Sequence, residues 1–138
     1  MAFTWHLPVP DTESQPFWDA AAEGRLLYQH CNACGNDYHY ARARCPRCWS
    51  PEVEWRDAGG RGTIYTYTIV RQNPMPPFRD RLPYAVGIVE LDEGPRMMTG
   101  FVETDPEALR IGMPVEVVFE REGDEPGVTV PRFRPVRG

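Results

Sequence analysis

The chain has 138 residues, which is enough for one domain of ordinary size or for two small ones. Its 20 acidic residues outnumber its 15 basic residues, all of which are arginine. This acidic balance disfavours general nucleic-acid binding, because phosphate neutralisation requires a positive surface. No stretch approaches the roughly 20 apolar residues of a membrane span, and the first residues lack the apolar core of an export signal. We therefore expect a cytoplasmic protein with reduced thiols and no membrane contact.

Residues 1–24 are predicted to form an N-terminal helical segment. Ser14 is typical of a helix cap, Phe17 and Trp18 begin an apolar face, and Gly24 ends the pattern. A small neighbouring unit cannot bury two adjacent aromatic side chains. We therefore expect Trp18 either to contact a partner protein or to pack within the chain.

Two Cys-x-x-Cys pairs follow, separated by ten residues: Cys31, Cys34, Cys45 and Cys48. Each pair can direct two thiolates at one ion while the backbone turns around it, so the spacing predicts a rubredoxin-like zinc ribbon over residues 25–58. Four thiolates leave no open coordination position, which favours structural over catalytic Zn²⁺. Iron in a rubredoxin-type site, a disulfide and a redox pair remain alternatives. Gly35 suits the turn after the first pair, whereas Trp49 stands where a second glycine is expected.

Residues 59–138 are predicted to form a β-domain that starts at a glycine-rich junction, interpreted as a hinge or a bulge. Five segments rich in β-branched and aromatic residues follow, with a short helix starting at Pro106 between the third and the fourth. This order is typical of an OB-fold barrel, so the fold class is mainly β. Pro131 predicts an edge position for the last strand.

The proline-rich segment 73–83 is the main candidate for a binding surface. It is too rich in proline for a strand and too long for a simple hairpin loop, and long loops in compact domains are often functional. It displays Met75, Phe78, Arg79 and Arg81. The alternative for the two arginines is solvent-exposed charge paired with Asp80.

No pair of residues in the sequence suits nucleophilic or general acid–base catalysis. All four cysteines are assigned to the metal, and the three histidines lie in the N-terminal third, far from the long loop. We therefore assign no catalytic residue.

Several short motifs occur in a fixed order between Phe17 and Pro135. They are the helix, the cysteine pairs, GRGTIY at 60–65, Pro83-Tyr84, ELDEGPR at 90–96, IGMPV at 111–115 and Phe133-Arg134-Pro135. Together they resemble the bacterial and archaeal family of zinc-ribbon and OB-fold proteins associated with acyl-CoA metabolism.

This resemblance implies an accessory subunit of a thiolase-like enzyme. Family members accompany sterol-carrier-protein-type thiolases, acyltransferases and hydroxymethylglutaryl-CoA-forming systems, and a similar domain joins an aldolase that cleaves steroid side-chain acyl-CoA esters. The expected role is a non-catalytic subunit of an acyl-CoA aldolase (a lyase) or acyltransferase complex in lipid metabolism. In that role the loop with Phe78 would cover an acyl-CoA channel shared with the partner, and Arg79 or Arg81 would lie near CoA phosphates.

The main alternative is a module that binds single-stranded nucleic acid, with Tyr65, Tyr67 and Phe101 as stacking platforms. Core packing explains the same aromatic residues, and the acidic charge balance disfavours this function. A third possibility is a free-standing acyl-CoA-binding protein, which would bind CoA esters without any partner.

Overall fold

The computed structural model describes residues 7–123 and 127–136. Within them, one helix precedes eight strands that form a small sheet and a barrel: α1 (Gln15–Ala22), β1 (Leu26–Cys31), β2 (Asp37–Tyr38), β3 (Val53–Ala58), β4 (Arg61–Val70), β5 (Tyr84–Leu91), β6 (Arg96–Phe101), β7 (Pro114–Glu122) and β8 (Val128–Pro135). Two short 3-10 helices cover Phe78–Arg81 and Pro106–Ala108. This architecture confirms the predicted fold class.

Two reciprocal hydrogen bonds join Asp11 to Ser14, the residue before helix α1, whose side chain caps no helix amide. The Ser14 amide donates to Asp11 Oδ1 at 2.7 Å, and the Asp11 amide donates to Ser14 Oγ at 3.1 Å. The helix buries Phe17 and two alanines, and it packs against β1 and β8. It therefore joins the small sheet to the barrel.

The small sheet is antiparallel, with the order β2-β1-β3. Its central strand β1 is buried along most of its length. At the end of the sheet, Arg25 makes two hydrogen bonds to Asp57, at 2.9 Å and 3.1 Å. Only two residues of β2 pair with β1, so the sheet has little hydrogen bonding of its own on that side.

The barrel is closed in the order β4-β5-β6-β8-β7. The antiparallel pairs β4–β5, β5–β6 and β7–β8 are long, and β4 and β7 pair at three positions, whereas β6 and β8 are parallel and pair at one position, Phe101 with Phe133. Pro131 lies beside this β6–β8 seam, and its carbonyl faces β6, where it accepts a hydrogen bond from Thr99 Oγ1 at 3.3 Å. The predicted edge strand is thus one side of a seam in a closed barrel. Proline has no amide hydrogen, and at this position it removes no hydrogen bond between strands.

The largest fully buried side chains of the barrel include Phe133, Ile64, Leu91 and Val89. Phe17 of α1 and Leu26 of β1 belong to the same hydrophobic cluster. The barrel, the helix and the small sheet therefore share one core.

The end of the glycine-rich junction is hydrogen-bonded to the barrel through the carbonyls of Gly60 and Arg61. Gly60 accepts from the Val117 amide at 2.7 Å, and Arg61 accepts from the Asp92 amide at 3.0 Å. Gly62 already lies within β4, and the bulge falls later, at Tyr65. The pairing of β4 with β7 begins at Arg61, so the end of the junction belongs to the barrel.

We expect Gly87→Ala to destabilise the barrel. A Cβ at Gly87 would lie 2.1 Å from the Thr66 carbonyl oxygen, so β4 and β5 would have to separate. We expect a loss of about 1–3 kcal/mol in the free energy of unfolding, the usual cost of overpacking. Gly100→Ala is the matched control, since its Cβ would meet nothing closer than 3.6 Å. Denaturant unfolding with zinc present measures both, and equal stabilities would contradict this account of the β4–β5 contact.

Candidate functional site

The two cysteine pairs form two matching knuckles. In the first, the Gly35 amide donates to the Cys31 carbonyl at 2.9 Å. In the second, the Trp49 amide donates to the Cys45 carbonyl at 2.8 Å. The four Sγ atoms lie within 4.8 Å of one another, so the knuckles bring all four predicted metal residues together.

Backbone and amide groups surround the sulfur atoms. The Arg47 amide donates to Cys45 Sγ at 3.3 Å, and Asn36 Nδ2 donates to the same atom at 3.7 Å. Burial raises the pKa of the Cys45 thiol, but hydrogen bonds from the Cys48 and Arg47 amides and from Asn36 outweigh it and lower the pKa to about 6. Four soft donors in a closed shell fit tetrahedral zinc and leave no position for a substrate.

The nearby histidines are not part of this cluster. His30 Nδ1 lies 2.6 Å from Asp37 Oδ1. The His39 ring packs edge-on between Phe17 and Tyr40, with centroid distances of 5.2 Å and 4.8 Å. Burial lowers the pKa of His39 to about 4, so the ring is neutral at physiological pH.

A groove follows the β6–β8 seam, which we call the seam groove. It consists of one cavity of about 520 Å³ and one of about 250 Å³, and both are lined by Met98, Val130 and Pro131. The larger cavity is the charged end, lined in part by Phe78, Arg81, Glu120, Glu122 and Arg132. The smaller cavity is the aromatic end, lined in part by Phe17, Trp18, His39 and Tyr40.

Ion pairs between arginines and glutamates line the charged end of the groove. Arg81 makes two hydrogen bonds to Glu122, at 3.0 Å and 2.8 Å, rather than pairing with its neighbour Asp80. Arg132 Nη1 lies 2.6 Å from a carboxylate oxygen of both Glu120 and Glu122. Burial raises the pKa of Glu122, but the hydrogen bonds from Arg81 and Arg132 outweigh it and hold the pKa below its ordinary value. Arg81 therefore fastens the 73–83 loop to β7.

The aromatic end is built by the helix and the ribbon. Tyr40 Oη accepts a hydrogen bond from the Met98 amide at 3.0 Å, which joins the ribbon to the seam edge of β6. Trp18 Nε1 donates to Ser14 Oγ at 3.2 Å, and the Trp18 ring meets Phe17 edge-on at 5.1 Å. Trp18 thus packs within the chain while lining the groove.

The structure brings together three of the five residues predicted to contact a ligand or partner. Phe78 and Arg81 line the charged end, and Trp18 lines the aromatic end. Met75 and Arg79 lie outside the groove on the exposed side of the loop. The Met75 side chain is 42% exposed.

Sequence reasoning missed Glu122, Arg132, Met98 and Tyr40. Alternating acids in the fourth predicted barrel strand and arginines in the fifth predict cross-strand ion pairs, so Arg132 could have been found. No pattern in the sequence distinguishes Met98 or Tyr40, because their position depends on how the ribbon packs against the barrel.

The three aromatics of the nucleic-acid alternative do not form a shared exposed platform. Phe101 is buried, and Tyr67 is partly buried with its hydroxyl donating to the Leu109 carbonyl at 2.9 Å. Tyr65 is 47% exposed, but the Arg96 guanidinium lies over its ring at 3.9 Å. Among the described residues, no helix is long and apolar enough to cross a membrane.

A four-thiolate ribbon joined to a closed five-stranded barrel defines a zinc-ribbon and OB-fold protein. Residues 18–54 match the family model described as the ChsH2 rubredoxin-like zinc ribbon domain, and residues 55–120 match the ChsH2 C-terminal OB-fold domain. The chain belongs to this ChsH2 family, which confirms the resemblance noted in the sequence. The family and the thiolate geometry together define the metal as structural zinc.

Two relatives are similar to most of this chain in sequence. A DUF35 domain-containing scaffold protein of Methanocaldococcus jannaschii is 37% identical over 116 residues, which are 80% of this chain and 82% of the relative. A probable enoyl-CoA hydratase alpha subunit of Thermomonospora curvata is 39% identical over 120 residues. That match covers 86% of this chain but 36% of the relative, so the chain spans about a third of that protein's length.

A solved structure is also similar over almost the whole chain. It is described as the Ltp2-ChsH2(DUF35) aldolase, with a TM-score of 0.81 and 37% identity. The similarity covers 93% of this chain and 98% of that chain.

We expect Cys34→Ser to release zinc and unfold the ribbon. Cys34 is exposed, so the substitution removes a ligand without opening a core cavity. In zinc-finger peptides, metal binding contributes about 10–16 kcal/mol of folding free energy. Bound zinc and thermal unfolding are the measurements. Asn32→Ser, an exposed residue of the same knuckle that is not a ligand, is the control. A variant that folds normally without metal would contradict the structural role.

We expect His39→Phe to reduce the acid sensitivity of folding. The folded pKa is about 4 against an ordinary value of 6.5, so the unfolded chain takes up this proton first as the pH falls. Stability is therefore lost as the pH falls through about 6.5 towards 4, by about 2 kcal/mol between pH 7 and pH 5.

Phenylalanine keeps the ring between Phe17 and Tyr40 but cannot be protonated. Chemical unfolding at pH 7 and at pH 5, with zinc present, should show a smaller stability loss in the variant. Both chains carry the same thiolates, so zinc release affects them equally. An identical pH dependence in the two chains would contradict the lowered pKa of His39.

Proposed function

We propose that this chain is a non-catalytic accessory subunit that binds a thiolase-like protein and helps to form its acyl-CoA site. The partner's reaction makes or breaks a carbon–carbon bond in an acyl-CoA ester. Retro-aldol cleavage of steroid side chains is the specific case that the family resemblance favours. The similarity to the Ltp2-ChsH2(DUF35) aldolase chain and the scaffold-protein description of relatives support this assignment.

The seam groove is the observation that carries the proposal. Its volume is in the range of small-molecule sites, and it has an apolar middle and a charged end. Among the described residues that line the groove, however, no hydroxyl or thiol group is hydrogen-bonded to a side chain that could act as a general base. Thr99 Oγ1 is placed against backbone carbonyls, and Glu120 and Glu122 are held by arginines. The groove can hold part of a ligand, so the reacting groups belong to the partner.

The 73–83 loop supplies the contacts with CoA in this proposal. Arg81 is already neutralised by Glu122, so its role is to hold the loop in place. Arg79 is exposed and makes no ion pair with the residues that the structure describes, which leaves its guanidinium available for a phosphate. Met75 and Phe78 would contact the apolar part of the acyl-CoA or the facing surface of the partner.

Reconstitution tests the accessory role directly. The chain is co-expressed with each thiolase-like protein encoded in the same genome, and complex formation is followed by gel filtration and calorimetry. We expect one stoichiometric complex that cleaves or condenses an acyl-CoA ester, whereas this chain alone does neither. Failure to bind any of these proteins, or turnover of acyl-CoA by the isolated chain, would refute the proposal.

We expect Arg79→Gln to raise the KM of the complex for acyl-CoA about tenfold, the effect of losing one charge-assisted hydrogen bond. The affinity of the two subunits for each other should change little. Arg110→Gln is the matched control, because Arg110 is also exposed and also lacks an ion pair with described residues. Steady-state kinetics over a range of acyl-CoA concentrations separate KM from kcat. Equal KM values for the two variants would show that Arg79 does not contact CoA.

A further inference from the structure

The second zinc knuckle contains a residue that its backbone does not favour. The two knuckles use the same amide-to-carbonyl bond, and the residue that donates it adopts a positive φ, 80° at Gly35 and 65° at Trp49. Glycine adopts this conformation freely, whereas any other residue meets a steric penalty. Of the described non-glycine residues, Trp49 and Glu103 have positive φ. The backbone conformation of the second knuckle therefore favours glycine over tryptophan at position 49.

The Trp49 side chain does not stabilise the isolated fold either. It is 72% exposed, and its indole makes no hydrogen bond or ring contact with the described residues. Trp18 and Trp55, by contrast, pack against the hydrophobic core. A large apolar side chain that is both strained at its backbone and exposed is typical of an interaction site.

Three arginines that lack an ion pair with described residues lie close to Trp49 in the sequence. Arg42, Arg44 and Arg47 are exposed, and none makes an ion pair with a residue that the structure describes. No acidic residue occurs between positions 38 and 51. Arginines elsewhere are commonly ion-paired with acids of this chain, as are Arg25, Arg56, Arg61, Arg71, Arg81, Arg96, Arg132 and Arg134.

These arginines are not used as hydrogen-bond donors to the thiolates. Among the described residues, the donors to sulfur include the Cys34, Arg47 and Cys48 amides and the Asn36 side chain. The Arg44 guanidinium instead donates to the Trp49 carbonyl at 3.2 Å, which ties it to the knuckle. Arg44 thus contacts Trp49 on an exposed knuckle, and Arg42 and Arg47 add positive charge to the same acid-free segment of a chain whose net charge is −5.

We propose that Trp49 anchors a protein–protein contact, with its indole inserted into an apolar recess bordered by acidic side chains on the thiolase-like partner. Tryptophan and arginine are the residues most enriched among those that dominate interface energy. The zinc-bound knuckle holds Trp49 in place before binding, so little conformational entropy is lost on association. The unpaired arginines match an acidic rim. This contact rests on the accessory role proposed above. Its test therefore begins by showing that the wild-type chain binds the partner.

Two substitutions isolate the indole. Trp49→Gly restores the residue of the first knuckle, and Trp49→Asn keeps a side chain that tolerates positive φ. Both should retain zinc and unfold at the same or a higher temperature than wild type. Both should weaken binding to the partner at least tenfold, measured by calorimetry. Ile111→Ser is the matched control, because Ile111 is 71% exposed on the barrel and should leave the dissociation constant unchanged.

A charge reversal tests the acidic rim. Arg47→Glu should slow association, most strongly at low ionic strength, while dissociation changes less. Zinc content should stay constant, since the Arg47 amide, and not its side chain, contacts Cys45.

Wild-type affinity of both Trp49 variants for the partner would overturn the inference while leaving the accessory role intact. A wild-type chain that binds no thiolase-like protein would overturn both, and this is seen before any variant is made. If Trp49→Gly binds the partner normally but loses self-association, the surface contacts a second copy of the chain. If it binds the partner normally but loses binding to a single-stranded oligonucleotide, the surface contacts nucleic acid. Either result would overturn the inference.

Discussion

Four thiolates around one metal ion hold together a part of the chain that could not be stable by burial alone. The sheet β2-β1-β3 has few residues and one very short strand, and a unit of this size needs a metal or a larger neighbour. The metal also fixes the segment between the two knuckles. There the Gln29 side chain holds Arg42 through two hydrogen bonds, at 3.1 Å and 2.7 Å. The ribbon can therefore present His39 and Tyr40 to the barrel in fixed positions.

The barrel contributes the second constraint, a seam at which two strands hardly pair. β6 and β8 pair at Phe101 and Phe133 alone among the described residues, and the seam groove is lined by residues of both strands. Gly100 of β6 lies beside the Arg132 side chain, and a Cβ there would be 3.6 Å from Nε and 3.7 Å from Cδ, an ordinary van der Waals distance.

Local patterns were sufficient to predict the elements of this fold. Cysteine spacing predicts the ribbon, β-branched runs predict the barrel strands, and the cap and apolar face predict α1, because each depends on residues close in sequence. The pairing of Arg81 with Glu122 could not be predicted, since 41 residues separate them and barrel closure alone brings them together. The glycine-rich junction was interpreted as a hinge or a bulge for the same reason. Its carbonyls are satisfied by β7 and by the β5–β6 turn, which lie far away in the sequence.

The hydrogen bond between the Met98 amide and Tyr40 has a consequence for solubility. A strand whose amides lack partners is a template on which another chain can add a strand, and proteins cover such edges to avoid aggregation. At Met98 the cover is a single hydroxyl, held in place by the ribbon and ultimately by zinc. Loss of the metal would therefore expose the β6 edge next to a side chain that is 65% exposed and apolar. In a cell short of zinc, the first sign of failure would be aggregation through this edge.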